Sequence, residues 1–190
     1  AINLQEQLAE KDLPMLQRIL PVDFSYTLLK GRGNYLCTRR LARALQRADG
    51  LFTSPEIAEL KRVESWAKET TDGSLSDFDL EPDPKVWEAV ASERGLCSPK
   101  LCGRGSESAS LYGECFFQKA RRRFMAADVL VLNHALFFSN LTLGLAGYMD
   151  EEEDPGEGLI FRNDFAIFDE AQHLDRVASR HIGLNVSSGQ

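Results

Sequence analysis

Apolar residues recur along this chain with two different periods, and each change of period marks an element. Ile2, Leu4 and Leu8 share one side of a short amphipathic helix over Ile2–Lys11, with Pro14 close behind. After Pro21, Val22, Phe24, Tyr26 and Leu28 alternate with other residues, which predicts a half-buried strand over Val22–Leu29. Gly31 and Gly33 punctuate a tight turn. Tyr35–Ala48 is predicted helical, with Leu36, Leu41 and Leu45 inward and the arginines outward. Ser54-Pro55 opens the next helix, the serine as cap and the proline in the first turn. Ile57, Leu60, Val63 and Trp66 continue its apolar face to about Glu69.

Thr70–Pro84 is polar and rich in Asp, Ser and Pro, the composition of an irregular loop. Pro84–Arg94 reads as another short helix, with Val86 and Val90 on one side and Trp87 nearby. The two tryptophans are expected to pack these helices together, the alternative being platforms for stacked bases. Ser98–Gly113 is loop-like, and Glu114–Ala126 is helical with a basic outer face. Beyond Ala126 the texture changes. Val129-Leu-Val-Leu132 is a continuous apolar run of the kind buried in parallel sheets, followed by a helix over His134–Leu141 and an acidic surface loop over Leu145–Gly158. Phe165–Phe168 is predicted to be a second buried strand, with Asp169 and Glu170 at its C-terminal end. The expected fold class is therefore α/β, with α/β pieces at both ends of a mostly helical, cysteine-bearing middle.

Composition adds bounds. The 190 residues suit one or two domains, and 43% hydrophobic content is enough to build a core. No apolar run is long enough to span a membrane, and no signal peptide opens the chain. It begins at Ala1 and not at Met, as expected of a piece excised from something longer. The net charge of −7 is misleading, because Asp150–Asp154 and Glu157 supply six of the acids. Between Leu28 and Arg47 there are six bases (Lys30, Arg32, Arg39, Arg40, Arg43 and Arg47) and no acid, and Lys119 with Arg121–Arg123 forms a second basic cluster. Either cluster alone could be a solvated helix face, but two of them, each beside a cysteine, favour a phosphate-binding surface.

The cysteines Cys37, Cys97, Cys102 and Cys115 are spaced C-x59-C-x4-C-x12-C. Without a secretory signal, thiolates gathered on a metal are favoured over disulfides. No pair has the C-x2-C spacing of a zinc knuckle, whereas the wider, unequal spacing is compatible with an iron–sulfur cluster. Four unrelated buried cysteines are the plainer alternative. Asp169 and Glu170, at the end of a predicted parallel strand, sit where open α/β sheets bind ligands. In a nucleotide hydrolase the Asp would hold Mg²⁺ through its water shell and the Glu would polarise the attacking water. Against this stands a simple helix cap by Asp169.

Ala166-Ile-Phe-Asp-Glu-Ala-Gln-His-Leu174 resembles motif II, the Walker B box, of superfamily 2 helicases of the XPD/DinG type. Four further stretches resemble that family in the family's order. Ile2-Asn-Leu-Gln-Glu-Gln-Leu8 is similar to motif Ia, Leu29-Lys-Gly-Arg-Gly-Asn-Tyr-Leu-Cys37 to the start of its iron–sulfur domain, Cys115-Phe-Phe-Gln-Lys-Ala-Arg121 to the end of that domain, and Ala127-Asp-Val-Leu-Val-Leu-Asn-His-Ala-Leu136 to the strand and Asn-His turn that follow. About Asp49–Ser92 is the variable part.

The resemblance implies a RecA-like P-loop motor domain with a parallel sheet, carried by residues 1–29 and 126–190, and a mainly helical iron–sulfur insertion at 30–125. It implies a [4Fe–4S] cluster on Cys37, Cys97, Cys102 and Cys115, with a structural role. It implies ATP and Mg²⁺ at Asp169 and Glu170, and phosphate contacts from Lys30, Arg32, Arg39 and Arg40 to a single strand near a fork junction. The activity implied is ATP-driven DNA unwinding with 5′→3′ polarity, in the cytoplasm and, in a bacterium, on the nucleoid, with no membrane association.

Three departures accompany it. No G-x-x-x-x-G-K-[ST] loop occurs in the chain; in the family it precedes motif Ia, so it is expected before Ala1, and the isolated chain is expected to be inactive. Gln172 stands where many relatives have His. Cys102 and Cys115 are widely separated, with Gly103–Ser110 resembling an insertion. The rival expectation is a zinc-stabilised nucleic-acid-binding module without a motor.

Overall fold

The computed structural model describes residues 2–93, 113–146 and 165–182. The predicted loops at Ser98–Gly113 (Gly113 excepted) and over most of Leu145–Gly158, together with Cys97 and Cys102, lie outside the described residues. The chain divides into two compact units, one formed by Ala1–Leu29 with Phe124–Gln190 and the other by Lys30–Arg123. The described residues are mostly helical, with a small parallel sheet.

The first unit begins with α1 (Ile2–Gln7), a π turn over Leu8–Asp12 and α2 (Leu13–Ile19). The helical run therefore continues past its predicted end at Lys11 and through Pro14. The Leu13 N–H bonds Leu8 O, five residues back, and this wider turn puts Pro14 in the first turn of α2, where no N–H is needed. The strand expected over Val22–Leu29 narrows to β1 (Tyr26–Leu28), which pairs in parallel with β2 (Val129–Val131), Tyr26 opposite Val129 and Leu28 opposite Val131.

A reciprocal clasp sets that register. Ser25 donates both its N–H and its hydroxyl to Asp128 Oδ2 at 2.7 Å, and Ser25 O accepts from Val129 N at 2.9 Å. The Ser25 N–H, and then its hydroxyl, hold the Asp128 carboxyl below its ordinary range. β2 is half-exposed where its apolar run predicts full burial, because the sheet of the described residues has two strands and leaves one edge of each uncovered. The second buried strand expected at Phe165–Phe168 is not observed: the segment pairs with neither described strand, and Phe165 and Ile167 are 89% and 97% exposed. An apolar run becomes a strand only beside a partner that completes its hydrogen bonds, and that sheet does not reach it.

α8 (His134–Ala146), which follows β2 in the first unit, runs five residues past the predicted Leu141. It packs on a helix over Leu174–His181, fastened by Ser139 Oγ to His181 Nδ1 at 3.0 Å and by Thr142 Oγ1 donating to His181 O at 3.0 Å. That last helix is α9.

In the second unit, α3 (Thr38–Gln46), α4 (Ala48–Leu51), α5 (Ser54–Glu69), α6 (Pro84–Val90) and α7 (Phe116–Ala126, its first eight residues in this unit) form the helical framework. Tyr35 and Leu36, expected inside the first of these helices, instead bridge to Ser74 and Ala91, so α3 starts only at Thr38. The cap of α5 is Thr53, one residue before the predicted Ser54, because Glu56 then falls at the third helical position and its carboxylate accepts the Thr53 N–H at 2.6 Å. Lys85 Nζ bonds the other Glu56 oxygen at 2.8 Å, and with the Thr53 N–H this lowers the Glu56 carboxyl to about 2.

Leu36, Leu41, Leu60, Val63, Val86 and Val90 are fully buried between α3, α5 and α6, each worth about 1.5–3 kcal/mol on transfer from water. The tryptophans pack as the spacing predicts. Trp66 stacks on Phe78 at 3.8 Å, Trp87 meets both edge-on at 6.3 and 5.9 Å, and Trp87 Nε1 donates to Gly33 O at 2.9 Å. Among the described residues, no helix is long and apolar enough to cross a membrane.

Candidate functional site

Two residues past β2, Asn133 Oδ1 accepts the Leu136 N–H at 2.7 Å and so caps α8. The first turn of α8 presents His134 and Phe137 to Phe168, with ring centroids 6.0 and 5.0 Å away. Phe168 directly precedes Asp169 and Glu170, so this aromatic anchor holds the two acids near the C-terminal end of β2. Open α/β sheets bind their ligands at that edge.

Glu170 adopts φ 50°, ψ 43°, and is the one non-glycine residue with positive φ among the described residues. A left-handed conformation costs an L-residue roughly 1–2 kcal/mol. Such strain persists where surrounding contacts over-determine it, and it concentrates at functional sites. Here Asp169 Oδ1 accepts the Glu170 N–H at 2.9 Å, and the Gln172 side-chain amide donates to the Glu170 carboxylate. Asp169 does not cap the following helix: the residues before the 3-10 turn Ala171–His173 and before α9 are Glu170 and His173, neither with a side-chain cap bond. Both acids are exposed. An exposed carboxylate pair suits Mg²⁺ that arrives with a nucleotide, since Mg²⁺ takes one or two carboxylates and completes its shell with water and phosphate. Among the described residues no group of three or more His, Cys, Asp or Glu is placed to hold a metal on its own.

In the second unit, Cys37 and Cys115 are 1% and 5% exposed, and each stands immediately before a helix, Cys37 before α3 and Cys115 before α7. A helix N-terminus stabilises thiolate charge, as a buried metal or cluster ligand requires. The two arms are packed together through their neighbours. Leu36 N donates to Gly73 O at 2.9 Å, Gly73 abuts the Phe116 ring, and the Tyr35 and Phe117 rings lie 5.9 Å apart. As far as they are described, these residues fit a thiolate-held cluster.

The basic residues separate into two groups that the sequence does not distinguish. Lys30 Nζ bonds Ser74 Oγ at 3.0 Å and the Ser76 hydroxyl, and lies 3.8 Å from Asp72. Arg123 reaches the same Asp72 carboxylate at 2.9 Å. Burial pushes the Asp72 carboxyl up, but hydrogen bonds from Ser74 and Arg123 and the Lys30 charge outweigh it and hold the group below its ordinary range. Burial and then the Asp72 charge push the Tyr35 phenol up.

Arg40 is also turned inward. It donates to Ala91 O at 2.6 Å and Glu88 O at 2.9 Å and pairs with Glu93 at 2.9 Å, satisfying carbonyls at the end of α6 on the stretch that leads toward Cys97. Arg32 lies 4.5 Å over the Phe117 ring. Arg39 alone of the four predicted DNA contacts has no ion pair or side-chain hydrogen bond among the described residues, and it is half-buried. The sequence reading missed Asp72 and Phe168; their signals, a lone Asp before Gly73 and an aromatic before two acids, are not distinctive alone.

No family model matches the chain. It is 35% identical over 188 residues to the ATP-dependent DNA helicase YoaA of Escherichia coli, covering 98% of this chain and 27% of that protein. It is 33% identical over 186 residues to the ATP-dependent DNA helicase DinG of Photobacterium profundum, covering 93% of this chain and 24% of that protein. Similarity extends at 25% identity over 181 residues to the 3′-5′ exonuclease DinG of Bacillus subtilis, covering 95% of this chain and 17% of that protein. The chain thus spans about a quarter of the length of the helicase relatives it matches. With homology to them along nearly its whole length, it belongs, as a segment, to the DinG/XPD family.

Proposed function

We propose that this chain is part of the first RecA-like motor domain of an ATP-dependent 5′→3′ DNA helicase, interrupted by an iron–sulfur insertion. Residues 1–29 and 126–190 belong to the motor and 30–125 to the insertion. The observation that carries the reading is the strained Asp169-Glu170 pair, anchored by Phe168 near the C-terminal end of β2, in a chain homologous to proteins named ATP-dependent DNA helicases.

In this reading Asp169 holds the nucleotide's Mg²⁺ through its water shell, and Glu170 orients and polarises the water that attacks the terminal phosphate. Cys37, Cys97, Cys102 and Cys115 hold a [4Fe–4S] cluster. When bound, it cross-links separate arms of the insertion into a rigid body that bears on the DNA. Strand separation needs no electron, so the role is structural. Lys30 and Arg40 serve mainly to hold that insertion together, whereas Arg39 remains available to phosphate.

The test is hydrolysis and unwinding by the longer protein that contains this chain. Single-stranded DNA should stimulate its ATP turnover, and a duplex with a 5′ single-stranded tail should be opened while one with a 3′ tail is not. The isolated 190 residues, which contain no G-x-x-x-x-G-K-[ST] loop, should turn over no ATP. A longer protein that binds DNA but shows no DNA-stimulated turnover would overturn the reading.

A further inference from the structure

The arginines of α3 divide by direction. Arg40 is spent on carbonyls of the same unit, whereas Arg39, Arg43 and Arg47 have no ion pair or side-chain hydrogen bond among the described residues. Arg43 and Arg47 are exposed and Arg39 is half-exposed. They follow one another at intervals of four residues along α3 and its C-terminal cap. Residues so spaced share a helix face and are separated by about 6 Å along the axis. We propose that Arg39, Arg43 and Arg47 form a phosphate track for one strand of DNA, an assignment that rests on the helicase reading above and extends it to a surface of the insertion.

Three features support the track. The spacing of one helical turn is comparable to the interval between successive phosphates of an extended single strand. A single row of charges matches one phosphate row, not the two that a duplex presents. All three side chains are guanidinium groups, whose fork of donors suits phosphate oxygens, and the cation at the last position is also favoured by the helix C-terminus. α3 itself holds no acid to neutralise the row. Asp49, the first acid beyond it, lies on α4 and pairs with none of the three among the described residues. The fully buried Leu41 and the buried Thr38 and Ala44 fix the opposite face of α3, so the row is carried on a rigid element.

The experiment measures oligo-dT binding by the longer protein as a function of salt. A triple variant, Arg39→Gln, Arg43→Gln and Arg47→Gln, is compared with wild type and with a charge-matched control on other helices of the unit, Lys61→Gln, Lys68→Gln and Lys85→Gln. Each phosphate contact on a single strand contributes about 0.7 to the slope of log affinity against log salt, so the track variant should flatten the slope by about 2. Its affinity should fall at least tenfold at low salt, while the control stays near wild type. Arg40→Gln should lower the unit's thermal stability and leave the slope in place. A track variant with the wild-type slope, or a control that flattens it equally, overturns the proposal. Failure of the wild-type protein to bind oligo-dT would instead sink the helicase reading itself.

Discussion

Glu170→Gln is expected to reduce DNA-stimulated ATP hydrolysis by the protein that carries this chain about 10²- to 10⁴-fold, the usual worth of a positioned general base. The substitution keeps the side chain's size and its ability to accept from the Gln172 amide, but removes the charge that would polarise water. Nucleotide binding should survive, because Asp169 is retained and bonds the backbone N–H of residue 170, which the change leaves in place. Trapping of ATP-bound protein on DNA would accompany the loss. Glu170→Gly separates strain from chemistry: glycine relieves the left-handed backbone, so that variant should fold at least as well as wild type and be equally inactive. Turnover within threefold of wild type in Glu170→Gln would remove Glu170 from the chemistry.

Gly73→Ala should produce a large loss of stability. Two effects add at this position. Its φ of +66° is a conformation that L side chains rarely adopt, and an added Cβ would lie 2.1 Å from the Phe116 ring carbon Cγ. The first costs roughly 1–2 kcal/mol and the second, as overpacking in a closed core, about 1–3 kcal/mol. The sum, about 2–5 kcal/mol, would be measured as a fall in the denaturation midpoint of the unit. Displacement of Phe116 also moves Cys115, its immediate neighbour, so metal retention should fall in parallel. Gly33→Ala is the matched comparison: nothing lies within 4 Å of its new methyl, and its stability should change by less than about 0.5 kcal/mol. Equal behaviour of the two variants would contradict the packing described here.

Local pattern was most informative where local forces decide the structure. The apolar spacing of Ile57, Leu60, Val63 and Trp66 locates α5, and Val86, Trp87 and Val90 locate α6, because a helix closes its hydrogen bonds within itself and needs only one buried face. Phe165–Phe168 reads as a buried strand and is exposed, because a strand depends on partners that no local pattern reveals. The bridges at Tyr35 and Leu36 were equally hidden, since each is made to a residue far along the chain. Asp169 and Glu170 were legible as a pair from their place after an apolar run. The left-handed backbone of Glu170 and its Phe168 anchor were not: a single positive φ leaves no mark in the residue pattern, and the anchor comes from ring contacts with a helix more than thirty residues earlier. Among the bases, sequence gives charge but not direction: Arg39 and Arg40 are neighbours in the chain, and only the fold shows that Arg40 turns to Ala91 and Glu88.

The central claim is that the cysteine-bearing unit is an iron–sulfur insertion in a helicase motor, and metal analysis of the purified protein tests it most directly. The account predicts about four irons and four sulfides per chain with a broad visible absorption, lost together in Cys37→Ser and in Cys97→Ser. Stoichiometric zinc in a colourless protein, or iron content unchanged by Cys97→Ser, would contradict it.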